Sequence, residues 1–270
     1  MTILDASLAL IDHHVHGAVT GALDRRGLEA LLPEGTAPAP AGTSMFDSQV
    51  GFGIRRWCAP LLDLEPSAPA EEYLQRRAEL GPAEVNRRML RAAGVDAWLV
   101  DTGYQSDRIQ DLAQIAEASG APAHEIVRLE AVAEQVARSG PQARGFAEAF
   151  AYALASATVD AVGLKSIVAY RYGLDFDPAR PDAAEVRAAA GRWLRAIDAD
   201  AAARPDDPAA RPASPAARLD DPVLLRHVIW AGIDTGLPLQ FHVGFGDADL
   251  RMHRSEIGRA SCRERVSYHV

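Results

Sequence analysis

His14 and His16 stand one residue apart in LIDHHVHG, directly after the apolar run LALID. Alternate residues of an extended strand face the same side, so both imidazoles can reach one point. Two imidazoles at about 2.0–2.1 Å from a shared ion make half of a zinc-type site. His13, beside them, makes the cluster less selective, and a histidine-rich loop facing water is the plainer alternative. His242 holds a comparable place in LPLQFHVGFGDADL, where an apolar run gives way to glycines. A lone strand-end histidine is more often a hydrogen-bonded structural residue. Its placement, the same as that of His14 and His16, makes it the third ligand candidate. His124 and His227 lack that placement, and His227 falls within a helical pattern.

Lys165 is the single lysine among 28 basic residues, and it interrupts the apolar run VGLKSIVAY. Burying an ammonium is costly unless it is paired or used. Arginine supplies positive charge everywhere else, so a need for ammonium chemistry is one explanation: a shiftable pKa, carbamate formation or a compact charge. The other is a lysine that snorkels to the rim. Asp101, Thr102, Glu130 and Arg171 also close apolar runs, in VDTGY, VRLEA and AYRYG. Each either lines a site or serves as a helix cap or rim ion pair, and the second reading is preferred for Asp101 and Glu130. Arg171 and Tyr104 are kept as substrate-binding candidates. Phosphate-cradling glycines, Gly-x-Ser-x-Gly and paired cysteine motifs do not occur.

The elements that must position these side chains follow from hydrophobic period. Apolar runs at 8–12, 97–101, 126–129, 162–169 and 239–243 read as strands. Helical patterns occupy 46–62, 70–80, 82–93, 106–118, 131–157 with a break at Gly140 and Pro141, 183–201 and 223–235. Strands alternating with helices imply parallel βα units. If those units form a barrel, the C-terminal strand ends carry the chemistry. Residues 17–95 read as a helical insertion and 204–222 as a flexible Pro/Asp/Ala-rich linker.

Composition narrows the classes. A net charge of −9 argues against nucleic acid or an anionic membrane as partner. The N-terminus lacks a basic n-region, and no run approaches the ~18 apolar residues of a membrane span. Cys58 and Cys262 show no metal-type spacing, which suits a reduced, cytoplasmic protein. A small-molecule substrate is the expected partner, and an oligomer is compatible with the sequence.

The blocks IDHHVHG, VDTGY, VRLEA, GLKSIVAYRYGL and GLPLQFHVGFGDADLRMHR resemble, in order, those of the amidohydrolase-related family. The resemblance spans nearly all of residues 8–253. It implies a (β/α)8 TIM barrel of the metallo-dependent hydrolase type, of which this chain carries about the first five βα units. It implies a divalent metal, zinc first with manganese or iron as alternatives, held by His14 and His16 on strand 1 and His242 on strand 5. Lys165 falls at strand 4, where some relatives carry a bridging carboxylated lysine and others use the position for substrate. The implied reaction is hydrolysis of an amide-type C–N bond. A non-oxidative decarboxylase of the same fold and a non-catalytic regulatory barrel remain alternatives.

The resemblance stops after MHR. Residues 254–270, RSEIGRASCRERVSYHV, are basic and aperiodic, and IGRASCRERV reads like a translated sequencing adapter. The expectation is therefore a truncated copy with a non-native tail. Asp247 and Asp249 belong to the loop after His242 and cannot stand in for the family's strand-8 aspartate.

Overall fold

The computed structural model describes residues 8–33, 39–104, 107–204 and 214–243. The expected tail, Cys262, Asp247 and Asp249 lie outside the described residues, as do residues 205–213 of the expected linker. The chain divides into two compact units, with the boundary between Glu125 and Ile126.

The first unit opens with β1 (Ile11–Val15) and continues through α1 (Arg25–Glu29), α2 (Gln49–Gly53) and α3 (Ala70–Ala92) to β2 (Ala97–Asp101) and α4 (Leu112–Ser119). The helix expected over 46–62 is instead four short turns. Ser44 and Ser48 each cap a new start, their hydroxyls accepting from the amides of Phe46 and Gly51, and Pro60 opens the last turn without an amide to donate. The patterns at 70–80 and 82–93 are the two arms of α3, broken at Gly81 (φ 76°, ψ 160°) just before Pro82. α4 starts later than expected because Asp111 and Gln114 form a reciprocal capping box there, and Gly120 at φ 79° ends it. Phe46, Leu62, Tyr73 and Val85 bury one small core, and Trp98, Val100 and Ile115 another.

β1 and β2 run parallel, with Asp12 opposite Trp98 but Val15 opposite Val100. Three steps along β1 match two along β2, so a β-bulge lies between Asp12 and Val15. Val15 thereby joins Trp98 and Val100 on the packed face. His14 and His16, which flank Val15, fall on the other face with Leu99 and Asp101.

The boundary falls inside β3 (Ala123–Arg128). The second unit then adds α5 (Leu129–Arg138), α6 (Phe146–Ala157), β4 (Gly163–Ser166), α7 (Val168–Arg171), α8 (Ala183–Ala202), α9 (Pro222–Asp234) and β5 (Leu239–Phe241). α8 begins at a second capping box, Asp182 with Glu185, and α9 at Asp221 followed by Pro222 in its first turn. Within this unit β3 pairs with β4 and β4 with β5, all parallel. The strands divide cleanly by period two. Val127, Leu164, Leu239 and Phe241 pack into the helix-covered core with Phe146, Phe150, Ile197 and Leu224. Arg128, Lys165 and Gln240 occupy the opposite face in register with one another. Ala217 and Leu219, inside the stretch expected to be linker, are fully buried.

These ladders correct the expected (β/α)8 TIM barrel. The described residues hold five parallel strands, and those described between Val15 and Ala97 and between Ser166 and Leu239 form helices, turns and loops without a further strand. A closed barrel needs all eight strands to share tilt and stagger around one axis. The fold is α/β with parallel strands, not a barrel of eight units. Among the described residues no helix is long and apolar enough to cross a membrane.

Candidate metal and substrate residues

The first unit brings His16, Asp101 and Tyr104 together. The Nδ1 of His16 lies 3.0 Å from the main-chain oxygen of Asp101. A carbonyl oxygen only accepts, so Nδ1 carries the proton and Nε2 the lone pair. The Asp101 carboxylate is itself buried, with Oδ2 at 3.8 Å from the same Nδ1. Its Oδ1 accepts from the amide of Gly103 at 2.9 Å. The Tyr104 ring sits 4.9 Å from that of His16, centre to centre. His14 is exposed, and its amide donates to Asp12 Oδ1 at 3.1 Å. Gly17 lets the chain turn away directly after His16: a Cβ there would stand 2.1 Å from the Gln110 carbonyl.

The second unit holds the remaining candidates. Lys165 is 1% exposed and lies in register with Arg128 on one side and Gln240 on the other. His242 follows β5 directly. Its amide donates to the Ser166 carbonyl at 2.9 Å, and its ring lies 5.0 Å from that of Tyr170.

Arg171 does not close a strand. β4 ends at Ser166, three residues short of the expected end, and Arg171 closes the helical turn α7. Its guanidinium is engaged by Glu134 Oε1 at 2.9 Å in a mostly buried pair, and burial lowers its pKa. Glu130, expected at a rim, lies in the first turn of α5 and is completely buried. Burial pushes its carboxyl pKa up, against hydrogen bonds from Ser166 and Ile167 that act the other way.

Asp101 and Glu130 carry more of the local architecture than a cap or a rim ion pair would. Each closes an apolar run, the signal that marked them in the sequence. Their burial depends on chain segments 85 and 36 residues distant, so it does not show locally. Ser166 and Glu134 left no such signal.

The donor chemistry fits a divalent ion. His16 is oriented by a carbonyl through Nδ1, the usual support of a metal-bound imidazole. His14 adds a second nitrogen donor from the same face. Among the described residues, no three of His, Cys, Asp and Glu are grouped so as to hold an ion. His14 and His16 are thus two candidate nitrogen donors on one strand.

No family model and no curated protein matches the chain. In structure the chain is similar to a "putative metal-dependent hydrolase" from Lactobacillus casei ATCC 334, solved by crystallography. The match has a TM-score of 0.67 and 26% sequence identity, covering 96% of this chain and 64% of that one. The chain therefore spans less than two thirds of the length of the protein it matches.

Proposed function

We propose that this chain is part of a metal-dependent hydrolase that binds one or more divalent ions, zinc first, through His14, His16 and His242. The observation that carries the reading is the Nδ1 bond from His16 to the Asp101 carbonyl at 3.0 Å. It sets the tautomer that a ligand needs and holds the ring beside a second exposed histidine. Similarity to a metal-dependent hydrolase supports the same class.

When bound, such an ion would lower the pKa of a coordinated water to about 7 and polarise a carbonyl. The chain's own residues do the rest. Asp101 orients His16. Lys165, on the polar face of β4, would hold a substrate carboxylate or, after taking up CO2 and losing a proton to form a carbamate, serve as a further metal ligand. Tyr104, 44% exposed beside His16, supplies an aromatic wall and a hydroxyl for substrate. We assign the bond cleaved to the amide C–N class.

Calorimetric titration of the full chain with Zn²⁺ tests the metal reading. Specific binding, weakened by at least about tenfold in His14→Ala and His16→Ala, supports it. Absence of binding, or affinity indifferent to both substitutions, overturns it. An amide panel followed for amine release then tests the bond assignment, and release of CO2 from carboxylate substrates without amine would overturn that part alone.

A further inference from the structure

We propose that Glu130 is a positioning residue that sets the end of β4, and through it the seat of His242. The proposal rests on the reading of His242 as a metal ligand.

Three hydrogen bonds carry it, all within the second unit. The Ser166 hydroxyl donates to Glu130 Oε1 at 2.6 Å. The amide of Ile167 donates to the same oxygen at 3.0 Å. The Ser166 carbonyl then accepts from the amide of His242 at 2.9 Å. One carboxylate oxygen thus grips both residues at the point where β4 stops and the chain turns into α7. Ser166 Oγ extends the grip by accepting from the amide of Val168 at 3.2 Å.

The alternative is that Glu130 merely decorates the first turn of its helix, where a negative charge is favoured. Two observations weigh against that. The side chain reaches across 36 residues of sequence to Ser166. It also gives up all solvent to do so, leaving Oε2 without a hydrogen-bond partner among the described residues. A residue serving only the helix end would keep its hydration. Period two completes the argument: Ser166 faces the helices, so its neighbour Lys165 faces the opposite side of the sheet. What fixes Ser166 therefore fixes the direction from which Lys165 leaves the strand.

The test uses the full chain with Glu130→Gln, Glu130→Leu, Ser166→Ala and His242→Ala. One readout is Co²⁺ affinity by visible absorption. The other, independent of metal, is hydrogen exchange at the His242 amide. Glu130→Leu and Ser166→Ala are expected to weaken Co²⁺ binding by about 10- to 100-fold. They should also speed exchange at His242 relative to the Leu164 amide, because local opening is what exchange reports. Glu130→Gln keeps an acceptor oxygen and should stay close to the parent on both readouts. Unchanged affinity and unchanged exchange in Ser166→Ala and in folded Glu130→Leu would overturn the proposal. If Glu130→Leu does not fold, Ser166→Ala decides, since it removes one hydroxyl only. If His242→Ala leaves Co²⁺ affinity intact, the ligand reading of His242 falls, while the exchange measurement still decides whether Glu130 positions this backbone.

Discussion

His16 and Asp101 are joined through a ring nitrogen and a main-chain carbonyl, 3.0 Å apart, across 85 residues of sequence. The ring's orientation therefore depends on where the backbone of β2 lies, and the chain after His16 must leave without disturbing it. Gly17 permits that departure. Alanine there would drive its Cβ to 2.1 Å from the Gln110 carbonyl, which belongs to backbone held by the bond from the Gln110 amide to Ala18. Gly17→Ala is expected to cost about 1–3 kcal/mol, as overpacking does. It should also weaken metal binding without touching a ligand. Urea unfolding and a Zn²⁺ titration on the same variant check both; an unchanged unfolding midpoint would refute the packing argument.

The bulge between Asp12 and Val15 assigns different duties to adjacent histidines. His14 flanks Val15 and shares the face of His16, whereas His13 lies one residue further back in the bulged stretch between Asp12 and Val15. His13→Ala is expected to leave metal affinity within error, and His14→Ala to reduce it by at least about tenfold. Equal losses in the two variants would show that the cluster acts as an unselective patch.

Arg171 is expected to behave as a structural cation. Removing one partner of a buried ion pair leaves the other charge uncompensated, at about 3–5 kcal/mol. Arg171→Met should accordingly destabilise the second unit, since the Arg171 and Glu134 side chains are 10% and 12% exposed, though by less than that because Arg138 stays 3.7 Å from Glu134. The pair of Arg180 with Asp234 is half exposed, and Asp234→Asn should leave the melting curve where it was. If Arg171→Met melts normally and loses only substrate affinity, the substrate role stands and the structural one goes.

Two groups, Glu130 buried and His227 partly buried, give the fold opposing responses to pH. Burial lowers the pKa of His227 from an ordinary 6.5, helped by the positive charge of Arg180. Its contribution to stability is present above that value and is lost as pH falls through the depressed one. Glu130 is raised above 4.5 by burial, so its contribution is full below 4.5 and is lost as pH rises through the elevated value. His227→Leu should therefore gain on the parent in melting temperature as pH drops below 6.5. Glu130→Gln should gain as pH climbs above 4.5. A difference from the parent that does not vary with pH would refute either assignment.

Much of the local structure was legible in the sequence because local rules decide it. The alternation of apolar runs at 97–101 and 239–243 marks strands that the structure contains, and Gly81 before Pro82 separates two helical arms as read. The failures share a cause in longer-range or competing chemistry. Residues 162–169 read as one strand around Lys165 and Ser166, yet the strand ends at Ser166, where its hydroxyl and the next amide are bound by Glu130. Over 46–62, capping serines and Pro60 outweigh a mixed pattern that reads as helical. The barrel failed as an expectation because strand count and closure are properties of the whole chain, and a motif resemblance extends them beyond what these residues form. Of the candidate site, the histidines were visible as types and spacing. Their supports, Asp101 for His16 and Ser166 for His242, were not, because nothing in LIDHHVHG or LQFHV specifies which distant carbonyl will meet them.

The bulge in β1 has a further consequence for inheritance. Strands ordinarily tolerate substitution far better than changes in length, since a slip of one residue exchanges the two faces. Here a single extra residue is already built in, between Asp12 and Val15. Loss of one codon at His13 would leave two steps along β1 against two along β2, with His14 opposite Leu99 and Val15 still opposite Val100. His14 and His16 would keep their shared face. The count of residues between Asp12 and Gly17 can therefore fall by one in descendants while the two histidines stay together, and a motif search that demands a fixed spacing there would pass over them.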